Sequence, residues 1–214
     1  MHNSVKNLAY IKDKIKDVVN HHPKIIAVSK TFTQEHIIPL LDSGHIHFGE
    51  NKVQECISKW KELKIKYNRV KLHMIGKLQT NKVRDCLKCF DFIHSVDSKK
   101  LAKKIADEQK KINKKIKIFV QVNIGDENQK SGVSLDELDD LIIFCKEIDL
   151  DLIGLMCIPP VNKDPSKYFE ETDKLNKKDG FNELSMGMSS DFLLACENSS
   201  TYLRIGSSIF GERN

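Results

Sequence analysis

The chain has 214 residues, with 35 basic and 30 acidic side chains for a formal net charge of +5. At 40% apolar residues before glycine is counted, that length suits one domain with a packed core and excludes a disordered chain. No run approaches the roughly 20 apolar residues of a membrane helix, and the opening MHNSVKNLAYIKDK carries lysines at helical spacing in place of a signal peptide's apolar block, so a cytoplasmic protein with no membrane partner is expected.

Val5, Leu8, Ile11, Ile15 and Val18 recur every three or four residues and predict an amphipathic helix ending before His21-His22-Pro23. The β-branched run Ile25 to Ser29 predicts a first strand, and a helix follows from Thr33-Gln34-Glu35 to Leu41. His45 to Phe48 reads as a second strand with a helix from about Asn51 to Leu63; Leu72 to Ile75 is a third, with a helix near Thr80 to Leu87. Phe90 to Val96 is a fourth, and Asp97-Ser98 caps a helix from Lys99 to Lys111. Ile116 to Ile124 is a fifth strand, followed by a loop with Gly125 and Gly132 and a helix from Leu135 to Cys145. Leu152 to Ile158 is a sixth, stopped by Pro159-Pro160, with a helix after Asp164-Pro165. Glu183 to Met186 and Thr201 to Ile205 are the seventh and eighth, each followed by a helical turn, near Ser189-Ser190-Asp191 and at Ser207.

Eight strands alternating with helices predict a closed parallel (β/α)8 barrel of the TIM type. Residues 1–214 are read as one domain, in which the N-terminal helix (1–22) packs on the barrel, because Ser207 to Asn214 is too short to cover the wall alone. The six cysteines lack the dense spacing of a disulfide framework and are read as reduced; Cys86-x-x-Cys89 has no second half to complete a zinc set, so no metal is expected. Lysine supplies 31 of the 35 basic residues. The run Lys99 to Lys117 is diluted by Asp107, Glu108, Leu101, Ile105 and Ile112, the pattern of a solvated helix face, and no nucleic-acid partner is expected.

Such barrels carry their sites at the C-terminal ends of the strands. Lys30, closing strand one in AVSKT, shares a face with Ile26 and Val28 by period-two alternation. Desolvation at an apolar barrel mouth lowers an amine's pKa, and a neutral amine is what a Schiff base requires; an ordinary surface lysine is the competing reading. Asn51 follows strand two, as a ligand contact or a helix cap, and His73 on strand three is read as a satisfied polar core group before a catalyst. Ser185-Met186-Gly187-Met188-Ser189 and Arg204-Ile205-Gly206-Ser207-Ser208 are small hydroxyl-bearing turns after strands seven and eight. Barrels commonly bind phosphate there. An amine facing an anion cradle fits pyridoxal 5′-phosphate as a held cofactor, and a sugar-phosphate aldolase substrate nearly as well. If Arg204 faces a pyridine nitrogen, its guanidinium keeps that nitrogen unprotonated and weakens the ring as an electron sink.

Seven motifs in order, AVSKT, FGENKVQE (48–55), HMIGKLQTNK (73–82), VNIGDENQKSG (122–132), GLMCIPP (154–160), LSMGMSSDF (184–192) and RIGSSIFGER (204–213), resemble the pyridoxal phosphate homeostasis proteins, relatives of the alanine racemase N-terminal barrel. The resemblance implies a cofactor Schiff base on Lys30, Asn51 beside the cofactor and Met156 near its ring. It implies a phosphate held by Ser185, Gly206 and Ser207, and Arg204 at the pyridine nitrogen. Lys130, in the Asn128-Gln129-Lys130 loop, is either a further aldehyde or anion contact or a solvated loop lysine. Alanine racemase takes its second catalytic acid/base from an added domain and a dimer partner, for which this chain has no length. The expectation is therefore a monomeric, non-catalytic carrier that buffers or delivers the cofactor, with apo enzymes that use it as recipients. A weak racemase-like enzyme is the alternative.

Overall fold

The computed structural model describes residues 2–127 and 131–212, so the candidate Lys130 contact lies outside the described residues. Strands β1 (Lys24–Val28), β2 (His47–Glu50), β3 (Lys71–Met74), β4 (Phe92–Val96), β5 (Lys117–Val122), β6 (Asp151–Cys157), β7 (Glu183–Ser185) and β8 (Tyr202–Ile205) pair in chain order, all parallel. β8 closes on β1, with Arg204 in register with Ile26. The helices are α1 (Asn3–Lys16), α2 (Gln34–Asp42), α3 (Val53–Lys66), α4 (Val83–Cys89), α5 (Lys99–Ile112), α6 (Leu135–Glu147), α7 (Ser166–Lys178), α8 (Phe192–Glu197) and α9 (Ser207–Phe210). This is the (β/α)8 barrel with an added N-terminal helix that the alternation predicts.

The apolar faces of the helices meet the sheet in one continuous core. α5 shows how the sequence builds them: the Ser98 side chain caps its N-terminus through the Leu101 N–H, Leu101, Ala102, Ile105 and Ala106 are buried, and Asn113 ends it in the left-handed conformation at φ 49°. Its lysines pair along the outer face, Lys103 with Asp107 and Lys104 and Lys111 with Glu108. α1 buries Leu8, Ile11 and Ile15 in the same core, and its Asn7 Nδ2 donates to Ile209 O at 3.0 Å, beside the short α9. Cys86 and Cys89 both lie in α4, and all six cysteines are free and buried. Among the described residues no His, Cys, Asp and Glu cluster could hold a metal ion, and no helix is long and apolar enough to cross a membrane.

The barrel interior is filled differently. Branched aliphatic side chains usually dominate there, whereas here Ile26 and Met156 share the space with Phe92, Phe119 and Tyr202, and the histidine rings stack among them. His73 lies on Phe92 at 4.2 Å between centroids and His94 on Phe119 at 4.3 Å. His73 is thus a satisfied core group.

Below it, toward the N-terminal ends of the strands, burial and the neighbouring cations hold His45 and His47 down to about 4 from 6.5, with Lys12 acting on His45 and Lys24 and Lys71 on His47. Folded, these rings stay neutral down to about pH 4; unfolded, they protonate near 6.5. The unfolded chain therefore binds more protons across that window, and stability falls as the pH drops through it. Between pH 7 and pH 5 the loss is about 2 kcal/mol for one such ring. Urea unfolding at both pH values checks it: a lower midpoint at pH 5 is expected, and an unchanged or higher one contradicts the assignment.

Candidate functional site

β1 stops at Val28, two residues before Lys30, because Ser29 and Lys30 already belong to the turn that Phe32 N–H closes onto Ser29 O at 3.1 Å. Thr31 turns the chain through φ 70°, a conformation costly for a threonine and held only where neighbours fix it. The fixing comes from α3. Glu55 Oε1 accepts the Thr31 N–H at 2.6 Å, and Lys59 Nζ donates to Ser29 O at 2.8 Å, to Glu55 at 2.9 Å and to Glu50 at 3.0 Å. Glu50 is fully buried and accepts two further bonds, from Ser29 Oγ at 2.7 Å and Trp60 Nε1 at 3.0 Å. Burial acts to raise the Glu55 pKa, but the Thr31 and Lys59 bonds outweigh it and hold that carboxyl below its usual range. Lys30 is thus presented from a turn clamped by a buried polar knot.

The knot also moves β2. The sequence places strand two at His45 to Phe48, with Gly49 and Glu50 beyond it; the structure extends it over His47–Glu50. A carboxylate in a buried strand reads as a strand end, and only its three donors make the position tolerable. Asn51 consequently follows directly on the strand. The β3 loop packs against it closely enough that a Cβ on Gly76 would lie 2.5 Å from Asn51 O, so glycine is required there.

After β7, Gly187 adopts φ 89° and a Cβ on it would meet Ala195 Cβ at 2.5 Å. Its carbonyl accepts the Arg204 N–H at 2.9 Å and so ties the β7 loop to β8. The hydroxyl of Ser189 accepts the N–H groups of Gly206 and Ser208, both at 3.3 Å. Two backbone donors from the β8 turn thus converge on one small oxygen, in the loop pair where a barrel binds phosphate.

These pieces border one cavity of about 530 Å3 at the mouth, and since β1 lies between β2 and β8, Lys30, Asn51, Arg204, Gly206 and Ser207 all line it. Ile158 and Met188 give it apolar walls that the sequence reading missed. Two of the residues expected at the cofactor do not line this cavity. Met156 is fully buried in the barrel interior with Tyr202 and Phe119, below the cavity. Ser185 is also fully buried and absent from the cavity lining, and its hydroxyl meets Arg204 Nη1 at 2.8 Å and His94 Nδ1 at 2.9 Å. Ser189 and Ser190, four and five residues on, are the serines of this loop that border the cavity.

Arg204 supplies the electrostatics. It is 5% exposed, and its guanidinium donates to two neutral oxygens, Ser185 Oγ and Cys157 O, both at 2.8 Å. Among the described residues no carboxylate lies within ion-pair distance of it. A buried cation normally has an anionic partner. One that lacks it and borders a cavity is suited to a ligand that brings acceptors. An amine, a guanidinium without a salt bridge and the small hydroxyl-bearing turns around Ser189, Gly206 and Ser207 match an aldehyde, a ring nitrogen and a phosphate, so the residues present fit pyridoxal 5′-phosphate.

Comparison with known proteins agrees with this geometry. The family model described as alanine racemase, N-terminal domain, matches residues 6–214. The pyridoxal phosphate homeostasis protein of Escherichia coli is 34% identical over 100% of this chain and 98% of its own. The chain belongs to the pyridoxal phosphate homeostasis protein family. Another member of that family, from Aquifex aeolicus, is 38% identical over 89% of this chain and 87% of its own. PipY of Synechococcus elongatus, solved with pyridoxal phosphate bound, superimposes with a TM-score of 0.88 at 30% identity, covering 97% of this chain and all of PipY. Alanine racemase of Clostridium difficile, at 18% identity and a TM-score of 0.76, shares the barrel fold over 99% of this chain and 57% of its own.

Proposed function

We propose that this protein binds pyridoxal 5′-phosphate at the barrel mouth as a Schiff base on Lys30 and serves intracellular homeostasis of that cofactor, buffering it and delivering it to apo enzymes. The convergence of Lys30, Arg204 and the Gly206-Ser207 turn on one cavity carries the reading. The names of the relatives and the cofactor bound in PipY support it. The Lys30 amine condenses with the aldehyde with loss of water. Gly206 and Ser207, joined by Ser189, hold the phosphate, Asn51 lies beside the cofactor, and Arg204 meets the pyridine nitrogen. A guanidinium has no proton to give up at working pH, so that nitrogen stays unprotonated and the ring is a poor electron sink. That setting favours holding the cofactor over reactions at an amino acid's α-carbon.

Titration of the purified chain with pyridoxal phosphate tests the proposal. A visible absorption band that saturates at one equivalent, survives desalting and disappears on transfer to an apo enzyme is expected. A chain that stays colourless, and whose melting temperature rises with a sugar phosphate instead, contradicts it.

A further inference from the structure

Inside the barrel a single file of hydrogen bonds runs from the N-terminal end to the mouth. His47 Nδ1 meets His73 Nε2 at 3.0 Å, His73 Nδ1 meets His94 Nε2 at 2.9 Å, and His94 Nδ1 meets Ser185 Oγ at 2.9 Å, where Arg204 Nη1 also arrives at 2.8 Å. The members come from β2, β3, β4, β7 and β8, and His73, His94 and Ser185 are fully buried. A guanidinium only donates, whereas a neutral imidazole offers one N–H and one lone pair. The Ser185 oxygen therefore accepts from Arg204, and its own hydrogen has His94 Nδ1 as the neighbouring acceptor. That choice sets every bond below it: His94 carries its proton on Nε2 and donates to His73, and His73 carries its proton on Nε2 and donates to His47. Burial first, and then the Arg204 charge on His94 and the other rings on His73, keep both neutral.

We propose that Ser185, His94 and His73 form a one-directional neutral column that positions Arg204, aligning its guanidinium for the ligand at the mouth without cancelling its charge. A carboxylate under Arg204 would hold it as firmly but would neutralise it. A hydroxyl backed by neutral rings gives orientation and leaves the cation for the cofactor. The proposal rests on the reading that Arg204 meets the pyridine nitrogen, but the column itself is testable without any cofactor.

The test uses histidine- and arginine-labelled protein and the variant Ser185→Ala, which removes only the hydroxyl; His94→Phe, which keeps a ring on Phe119, is the second variant. Nitrogen-15 NMR of the cofactor-free wild type should show His73 and His94 each as a single neutral Nε2–H tautomer between pH 6 and pH 8, with separate, slowly exchanging Arg204 Nη signals. Ser185→Ala should release the His94 tautomer and average the Arg204 signals. In the cofactor titration it should weaken pyridoxal phosphate about tenfold, the scale of one charge-assisted hydrogen bond, and shift the absorption of the bound ring while borohydride still fixes it to the same lysine. Arg204 signals already averaged in the wild type, or unchanged in Ser185→Ala, overturn the column. Normal NMR effects with no cofactor bound by the wild type leave the column standing and reject the cofactor reading. Tight binding with an unaltered spectrum in both variants rejects the positioning role.

Discussion

Replacing Lys30 with alanine removes all the pyridoxal phosphate that borohydride fixes to the wild-type chain, while the protein stays folded. Lys30 sits half-buried in a turn outside the core, where truncation costs about 1 kcal/mol or less. The rest of the site remains: Arg204, Gly206 and Ser207 still border the cavity. The variant therefore binds the cofactor weakly through its phosphate and ring and loses it on desalting. Equal borohydride labelling of wild type and variant, measured by the mass of the intact chain, contradicts the role given to Lys30.

The second large effect is on stability. Glu50→Ala deletes the acceptor of Ser29 Oγ, Lys59 Nζ and Trp60 Nε1 at once. The Lys59 side chain is 9% exposed, and with Glu50 gone Glu55 is the carboxylate left beside it. Removing one partner of a buried ion pair costs about 3–5 kcal/mol, and the remaining Glu55 bond puts the loss near the lower end. Because the knot also clamps the turn at Ser29 and Thr31, borohydride labelling of Lys30 should become slower and incomplete in the same variant. Urea unfolding reads the first effect and a labelling time course the second. A loss below about 1 kcal/mol would show that the knot is not what secures the turn.

The alternation of apolar runs and helical periods was enough to place eight strands and close them, since each βα unit is a local pattern and parallel pairing in chain order follows from it. Lys30, Asn51, Arg204, Gly206 and Ser207 were legible because a barrel puts its strand ends at one mouth. Ser185 and Met156 were named from the family resemblance and not from the local pattern: both lie inside strands, β7 and β6, and are fully buried in the barrel, away from the cavity lining. The knot of Ser29, Glu50, Glu55, Lys59 and Trp60 was hidden for a physical reason. A carboxylate and a lysine in α/β sequence read as surface charge, and nothing local reveals that α3 folds both over the β1 turn. The histidines of β2, β3 and β4 are 26 and 21 residues apart in the chain. Their ring-to-ring contact depends on the stagger of neighbouring strands, which only the closed barrel supplies.

The central claim is that the cofactor is held covalently at Lys30, and the most direct measurement is peptide mass spectrometry after incubation with pyridoxal phosphate, borohydride reduction and proteolysis. The account predicts a pyridoxyl adduct on Lys30, in the peptide carrying AVSKT, at close to one per chain. An unmodified Lys30, with the label absent or spread over surface lysines, would contradict it.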